Sequence, residues 1–248
     1  MFDETLRSGI LTLRREEAEF KAGYGLVKQT LPELLGHISL LHPREEEYLH
    51  SLKYDKRKHS YMLGRIACKQ ALSQITEEKP EAVFIDFGVF QFPVVKYIRE
   101  TNMQVSITHC EDIGIAIAFP EVHPLGIDIE KINTKEVAAM EGQMTRKEKA
   151  MVSGMELPAN IAYTMLWTIK EGLSKVLKTG LMTDFKCFEI HTLLPAKESY
   201  ESTFTYYGQY KAISYVLSSY VFTLVLPKNT RVALEELRIS LHRLIALG

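Results

Sequence analysis

The sequence lacks three features that would each define a class of protein. Its three cysteines, Cys68, Cys110 and Cys187, are too few and too widely spaced for a disulfide framework or a cysteine metal site. No run of about 18 apolar residues occurs, so no membrane-spanning helix is expected. The N-terminus has no basic segment followed by an apolar run, the pattern of a secretory signal. We therefore expect a cytoplasmic protein with reduced thiols and no membrane partner.

The chain also lacks an excess of charge of either sign. It has 30 basic and 31 acidic residues and a formal net charge of −1, so no global field favours nucleic acid, and a phosphate-bearing ligand must meet local basic groups. Hydrophobic residues make up 46% of the 248 residues, as in an ordinary globular protein with a sizeable core. This length suits one large domain or two small ones.

Apolar periodicity and turn residues predict the elements of the first half. Leu6, Ile10, Leu13 and Phe20 predict an amphipathic helix over residues 5–22, ended by Gly23 and Gly25. Further helices are predicted from His42 and over residues 61–72, with short strands over 82–95 and a strand pair at 105–109 and 113–119. Pro120 and Pro124 mark a boundary. It divides the chain into an N-terminal α/β half, 1–123, and a C-terminal α/β half, 124–248.

The second half repeats part of this pattern. A strand over 126–130 is followed by helical composition over 134–153 and by a long helix from Asn160 to near Gly180. Strands over 185–191, 202–207, 211–217 and 220–226 precede a last helix over 231–246. Residues 113–120 match 220–227 at an offset of 107, and the helix 66–72 matches 171–177 at an offset of 105. Each half is therefore expected to pack a helix on a small antiparallel sheet, with a ligand site between the halves.

Two stretches in the second half combine carboxylates with a lysine. On a strand, Asp128 and Glu130 share one face, roughly 7 Å apart, while Ile127 and Ile129 face the core. On the helix, Trp167, Glu171 and Lys175 form one stripe, and Met165, Ile169 and Leu173 form a buried stripe opposite. Three carboxylates and a lysine would converge if the helix crosses the strand. Mg²⁺, with phosphate oxygens completing its shell, suits such a point.

Each of these features alone has an ordinary structural explanation. An Asp-x-Glu pattern is common on half-exposed strands, Glu171 and Lys175 could be a surface ion pair, and a tryptophan is usually part of a core. Their combination on two adjacent elements is more specific than any one of them.

The two stretches together resemble the signature pair of the 4′-phosphopantetheinyl transferases. Gly126-Ile127-Asp128-Ile129-Glu130 is followed some 40 residues later by Trp167-Thr168-x-Lys170-Glu171-x-x-x-Lys175. The length and two-half layout resemble the monomeric Sfp-type branch. The segments Ser106-Ile107-Thr108-His109 and Leu63-Gly64-Arg65-Ile66-Ala67-x-Lys69 resemble motifs of the same branch. The resemblance covers about residues 45–226.

The resemblance implies a fold and a reaction. The fold is α+β, with two pseudo-symmetric halves, each a small antiparallel sheet packed against a long helix, and the active site at their interface. Coenzyme A donates the 4′-phosphopantetheine group to a serine of an apo acyl or peptidyl carrier protein. Asp128, Glu130 and Glu171 would hold Mg²⁺. Glu171, or a water that it positions, would accept the serine proton, and Lys175 would stabilise charge on the phosphate.

The resemblance also implies contacts to coenzyme A. Thr108 and His109 would contact its phosphates; a satisfied structural histidine is the alternative for His109. Arg57 and Arg65 rank ahead of Lys58 and Lys69 for the 3′-phosphate, because arginine offers a bidentate fork. The family often has a Gly-Lys-Pro segment whose lysine meets the nucleotide, whereas residues 88–93 contain no lysine.

Two alternatives to this function remain open at this point. The first is another Mg²⁺-dependent phosphoryl or phosphodiester enzyme. The near-neutral net charge argues against a nuclease in particular. The second is a non-catalytic interaction protein on the same fold.

For a transferase, the segment with Met140, Met144, Met151, Arg146, Lys147 and Lys149 could dock the carrier. An ordinary amphipathic helix with its methionines in the core explains that segment equally well.

Overall fold

The structure is a computed structural model that describes residues 4–97 and 102–247. The strands are β1 (Leu6–Arg14), β2 (Glu19–Lys28), β3 (Phe84–Phe87), β4 (Pro93–Lys96), β5 (Met103–Cys110), β6 (Ile113–Pro120), β7 (Gly126–Lys131), β8 (Ile190–Pro195), β9 (Tyr200–Phe204), β10 (Tyr210–Leu217), β11 (Tyr220–Pro227) and β12 (Arg231–Val232). The α-helices are α1 (Leu31–Leu35), α2 (Pro43–Ser51), α3 (Asp55–Ser73), α4 (Val137–Gly142), α5 (Arg146–Ser153), α6 (Ala159–Val176) and α7 (Glu235–Ile245).

The chain divides into two compact units, each with an antiparallel sheet and a long helix. The first unit comprises residues 1–124 and 230–248, and the second comprises residues 125–229. The sheet of the first unit has the order β12-β1-β2-β6-β5, and that of the second has the order β7-β11-β10-β9-β8. The predicted α+β class is confirmed. No helix within residues 4–97 and 102–247 has the length and apolar character needed to cross a bilayer.

The predicted helix over residues 5–22 is wrong, because this segment forms the hairpin of β1 and β2. Leu11 and Leu13 are buried on one face of β1, at the period of two that a strand requires. Gly23 and Gly25 do not end a helix; they allow α3 to lie directly on β2. A Cβ at Gly25 would lie 2.2 Å from the carbonyl oxygen of Ala67, and one at Gly23 would lie 2.0 Å from that of Ala71.

The C-terminal segment joins the first unit, although the sequence placed it in the C-terminal half. β12 pairs with β1 through Leu13 and Val232, and α7 packs on β1 and β2. Leu237, Leu241 and Leu244 are buried on α7 at helical spacing, and each fully buried leucine contributes about 1.5–3 kcal/mol. The second unit is therefore an insertion into the first, and it ends at residue 229.

Smaller differences arise where helices begin and end. The predicted helix over 134–153 is interrupted between α4 and α5, because Thr145 and Glu148 form a capping box that starts a new helix. α6 begins at Ala159 rather than after an Asn160 cap and ends at Val176 rather than near Gly180. The predicted strand over 185–191 is a short 3₁₀ segment followed by β8.

The two units share backbone features at equivalent positions. The hairpin β5–β6 turns at Glu111 (φ 53°) and the hairpin β10–β11 turns at Ser218 (φ 55°), which stand at the same offset of 107 residues. A Cβ at Gly126 would lie 2.1 Å from the carbonyl oxygen of Gly172, as one at Gly23 would approach that of Ala71. Ala71 on α3 and Gly172 on α6 are therefore equivalent, and their offset is 101 residues, whereas the sequence comparison predicted an offset of 105 for the helices. An error of four residues is one helical turn, which preserves the apolar stripe.

Candidate functional site

The first predicted motif lies on β7, an edge strand of the second unit that pairs with β11. Asp128 is 4% exposed and Glu130 is half-buried, and their spacing of two places them on the same face of the strand. Ile127 and Ile129 are fully buried, as predicted. The alternation of the sequence thus presents both carboxylates on the face that meets α6.

The second motif lies on α6, which packs against β7 and β11. Met165, Ile169 and Leu173 are fully buried, which confirms the predicted apolar stripe. Glu171 and Lys175 stand one turn apart on another face. Trp167 packs on Phe185 with ring centroids 4.9 Å apart.

Lys175 joins the two motifs. Its Nζ donates to Oδ1 of Asp128 at 2.8 Å and to the carbonyl oxygen of Ile127 at 2.9 Å. The ion pair is largely shielded from water, with side-chain exposures of 25% for Lys175 and 6% for Asp128. Lysine and aspartate therefore fix α6 and β7 to each other at this point.

The site carries more negative charge than Lys175 balances. Burial raises the pKa of Glu130 to about 7, and repulsion by Asp128 adds to this effect. Burial also raises the pKa of Glu171, again with a contribution from Asp128. Lys175 opposes both shifts. Three carboxylates face one lysine, so repulsion between like charges adds to the larger effect of burial on both pKa values.

These residues have the chemistry of a cation site, although they are not assembled as one. Among the described residues, no three His, Cys, Asp or Glu side chains form a group that could hold a metal ion as they stand. The donors are carboxylate oxygens, which suit Mg²⁺, and the excess negative charge favours a divalent cation. Binding would require Lys175 to share or release Asp128.

A buried ion pair fixes the position of α6. Lys170 donates to Oε2 of Glu148 at 2.7 Å and to the carbonyl oxygen of Phe185 at 2.9 Å, and both charged side chains are fully buried. Oε1 of Glu148 accepts from the backbone N–H of Ile190 at 2.9 Å. Glu148 was missed from the sequence, where only the Thr145-x-x-Glu148 capping box could have signalled it. Because Lys170 and Glu171 are neighbours on α6, this pair restrains the part of the helix that carries Glu171.

The first unit has an equivalent pair, with an additional cation. Lys69 lies 2.7 Å from Oε2 of Glu45, and Oε1 of Glu45 accepts from the backbone N–H of Ile85 at 3.0 Å. Nε of Arg65 lies 3.5 Å from the same carboxylate, and its guanidinium stacks on Tyr61 and Phe87. Nε and Nη2 of Arg65 are buried and make no hydrogen bond within residues 4–97 and 102–247. Two cations therefore share one buried carboxylate.

The other predicted coenzyme A residues also belong to the first unit. Arg57 is exposed near the start of α3, and Arg65 is 5% exposed two turns later. Thr108 is 6% exposed on β5, and His109 is exposed beside it. The structure places Asp128, Glu130, Glu171 and Lys175 together in the second unit.

The methionines of the predicted docking segment are core residues for the most part. Met140 and Met144 are 5% and 2% exposed and belong to the core of the second unit, whereas Met151 is half-buried. The basic side chains differ in their contacts. Lys147 lies 3.2 Å from Glu189, and Lys149 lies 3.4 Å from Glu141. Arg146 is exposed at the start of α5.

The sequence of the second unit is similar to a known protein family. Residues 124–225 match the model of the 4′-phosphopantetheinyl transferase superfamily, and this range includes both motifs. A comparison with curated proteins gave no match. The family match supports a transferase of this kind, a class defined by phosphopantetheine transfer. It covers nearly the whole second unit, residues 125–229.

Proposed function

We propose that this protein is an Sfp-type 4′-phosphopantetheinyl transferase, which uses Mg²⁺ to move 4′-phosphopantetheine from coenzyme A to a carrier-protein serine. One observation carries the proposal: three carboxylates and Lys175 meet with an excess of negative charge, inside the segment that matches the superfamily. We propose Asp128, Glu130 and Glu171 as the residues that hold Mg²⁺. When bound, this ion would supply charge neutralisation at the phosphate oxygens.

The protein side chains have separate roles in this reaction. The serine oxygen forms a bond to the phosphorus that bears pantetheine, and the nucleotide phosphate leaves. Glu171, or a water that it positions, accepts the serine proton. Lys175 exchanges Asp128 for a phosphate oxygen and stabilises the charge that develops there.

Coenzyme A is held in this proposal by Arg57, Arg65, Thr108 and His109. Nη2 of Arg65 makes no hydrogen bond to a described residue, and a phosphate oxygen is a suitable partner for a guanidinium group. Arg57 is exposed and available to a phosphate. The segment between β3 and β4 offers no lysine to the nucleotide.

The proposed partner is an acyl or peptidyl carrier protein, met by a monomeric transferase in the cytoplasm. Carrier proteins are generally acidic around the modified serine, a family-level expectation that gives exposed Arg146 a steering role. The net charge of −1 supports a proposal without a nucleic-acid partner.

Mass spectrometry of the carrier tests the proposal. The protein is incubated with coenzyme A, Mg²⁺ and an apo carrier protein, and the carrier should gain the mass of one phosphopantetheine group. Omitting Mg²⁺ or replacing the carrier serine by alanine should prevent the gain. A carrier of unchanged mass with every component present would refute the transferase function. Release of phosphate or nucleotide without carrier modification would favour another phosphoryl or phosphodiester enzyme.

A further inference from the structure

A chain of buried hydroxyl groups begins beside Asp128. In the register of the sheet, Asp128 on β7 stands opposite Thr223 on β11, which stands opposite Ser214 on β10. Residues opposite each other on antiparallel strands share a face, with Cβ atoms about 5 Å apart. Oγ1 of Thr223 lies 2.8 Å from Oγ of Ser214 and 2.8 Å from Oγ1 of Thr168 on α6. All three hydroxyl residues are fully buried.

The number of hydroxyl protons determines which group donates in each hydrogen bond of this chain. Each hydroxyl has one proton to donate. Thr168 donates to the carbonyl oxygen of Met165 at 3.0 Å. Thr223 then donates to Thr168, and Ser214 donates to Thr223. The chain is therefore satisfied internally, and it ties α6, β11 and β10 together through polar contacts inside a core.

The equivalent positions in the first unit carry no hydroxyl groups. There Gly25, Ala116 and Ile107 stand opposite one another on β2, β6 and β5. At the helix offset of 101 residues, Ala67 on α3 corresponds to Thr168. The fold of a unit therefore does not require polar groups at these positions. Their burial costs little because every hydrogen bond is made, but the fold does not require them, so their presence in the second unit needs another reason.

The position of Thr168 supplies that reason. Thr168, Glu171 and Lys175 are spaced by three and four residues, so they share one face of α6. Thr223 anchors Thr168 on the strand next to β7. The hydroxyl chain therefore fixes α6 laterally at the height where Glu171 and Lys175 approach Asp128.

We infer that Thr168, Thr223 and Ser214 are positioning residues that hold α6 against the sheet beside β7, so that the carboxylates of α6 and β7 stay close enough to bind one divalent cation. The inference rests on the proposed function, because it assigns the cation to these carboxylates. Groups that orient metal ligands typically change metal affinity 10–100-fold when they are removed.

The test measures Mg²⁺ affinity by calorimetry and stability by urea unfolding, independently of transfer. The variant Thr168→Val/Thr223→Val/Ser214→Ala replaces the chain by apolar groups, as in the first unit. Its Mg²⁺ affinity should fall about tenfold with little change in the unfolding midpoint, because no partner is left unsatisfied. Thr223→Ser, which keeps the hydroxyl, should retain the affinity.

A hydroxyl pair elsewhere in the same sheet provides the matched control. Oγ1 of Thr192 and Oγ1 of Thr203 lie 2.7 Å apart on β8 and β9, away from β7 in the strand order. Thr192→Val/Thr203→Val should leave Mg²⁺ affinity unchanged. A loss equal to that of the triple variant would overturn the inference.

The remaining outcomes separate this inference from the proposed function. If wild type and Asp128→Ala bind Mg²⁺ equally or not at all, the proposed function and the inference both fail. If wild type binds through Asp128 and the triple variant binds as tightly, only the positioning role is refuted. A triple variant that unfolds also refutes it, because the hydroxyl groups would then serve the fold itself.

Discussion

Replacing Glu130 by glutamine tests the energetic cost of half-burying a carboxylate beside Asp128. Its pKa is raised from 4.5 to about 7 in the folded protein. The folded state therefore binds this proton more tightly than the unfolded state does. The associated stability is fully present below about pH 4.5 and is lost as the pH rises through about 7. Wild type should thus become less stable between pH 5 and pH 8.

The size of the effect follows from the shift. One pKa unit corresponds to about 1.4 kcal/mol, so the shift sets a ceiling of about 3 kcal/mol. Glu130 is only half-buried, and solvent screening reduces the expected change to about 1–2 kcal/mol. Glu130→Gln keeps the shape of the side chain and removes its titration. The variant should be more stable than wild type at pH 8 by that amount, while losing transfer activity.

Urea unfolding at pH 5 and pH 8 measures this difference. Trp167 is the single tryptophan and packs on Phe185, so its fluorescence reports on the second unit. Glu156→Gln is the matched control, because Glu156 is an exposed carboxylate between α5 and α6; it should behave as wild type. Equal losses of stability in wild type and Glu130→Gln between the two pH values would refute the reasoning.

Three further predictions concern the metal, the anchor and the docking surface. Asp128→Ala should abolish transfer at saturating Mg²⁺ with an unchanged circular dichroism spectrum; wild-type rates would remove Asp128 from the metal site. Lys170→Met leaves Glu148 buried without its counter-ion and should lower the free energy of unfolding by about 3–5 kcal/mol. Lys170→Met/Glu148→Met should recover only part of this loss, because the backbone N–H of Ile190 then lacks its acceptor. Both free energies are measured by urea unfolding, and fully additive effects of the two substitutions would contradict the pairing. Arg146→Glu should raise the KM for the carrier more at low than at high salt, without changing coenzyme A affinity. Lys147→Glu is a less specific test, because it also removes the contact to Glu189. A KM for the carrier that Arg146→Glu leaves unchanged at low salt would place the docking surface elsewhere.

Patterns that extend over a few residues predicted the strand and the helix that carry the two motifs. Alternation over residues 126–130 identified β7, and the stripe of Met165, Ile169 and Leu173 identified α6. In both segments one periodicity fits the apolar residues, so the local pattern determines which side chains are buried. The two motifs could be placed on their elements without knowledge of the remaining chain.

Contacts between distant residues account for what the sequence did not reveal. Residues 5–22 contain apolar residues at helical spacing and at strand spacing. They form strands because β2 pairs with β6 and β1 pairs with β12. The buried partners Glu148 and Lys170 stand 22 residues apart, and Thr168 and Thr223 stand 55 apart. No pattern within a short window predicts such a pair. The assignment of residues 230–248 to the first unit is non-local for the same reason.

The close packing of α3 on β2 has a consequence for how a site can arise on this design. In the first unit the helix backbone touches the strand at Gly23 and again at Gly25, which leaves no room for a side chain at either position. In the second unit the contact is made at Gly126, but the next position on that face is Asp128, whose side chain needs space. The side chain of Asp128 therefore occupies space that the backbone of α3 fills at the equivalent Gly25. An aspartate introduced at Gly25 would collide with the carbonyl oxygen of Ala67 and could not reproduce this arrangement. The closeness of helix and strand, as much as the identity of the side chains, decides whether this position can hold a carboxylate.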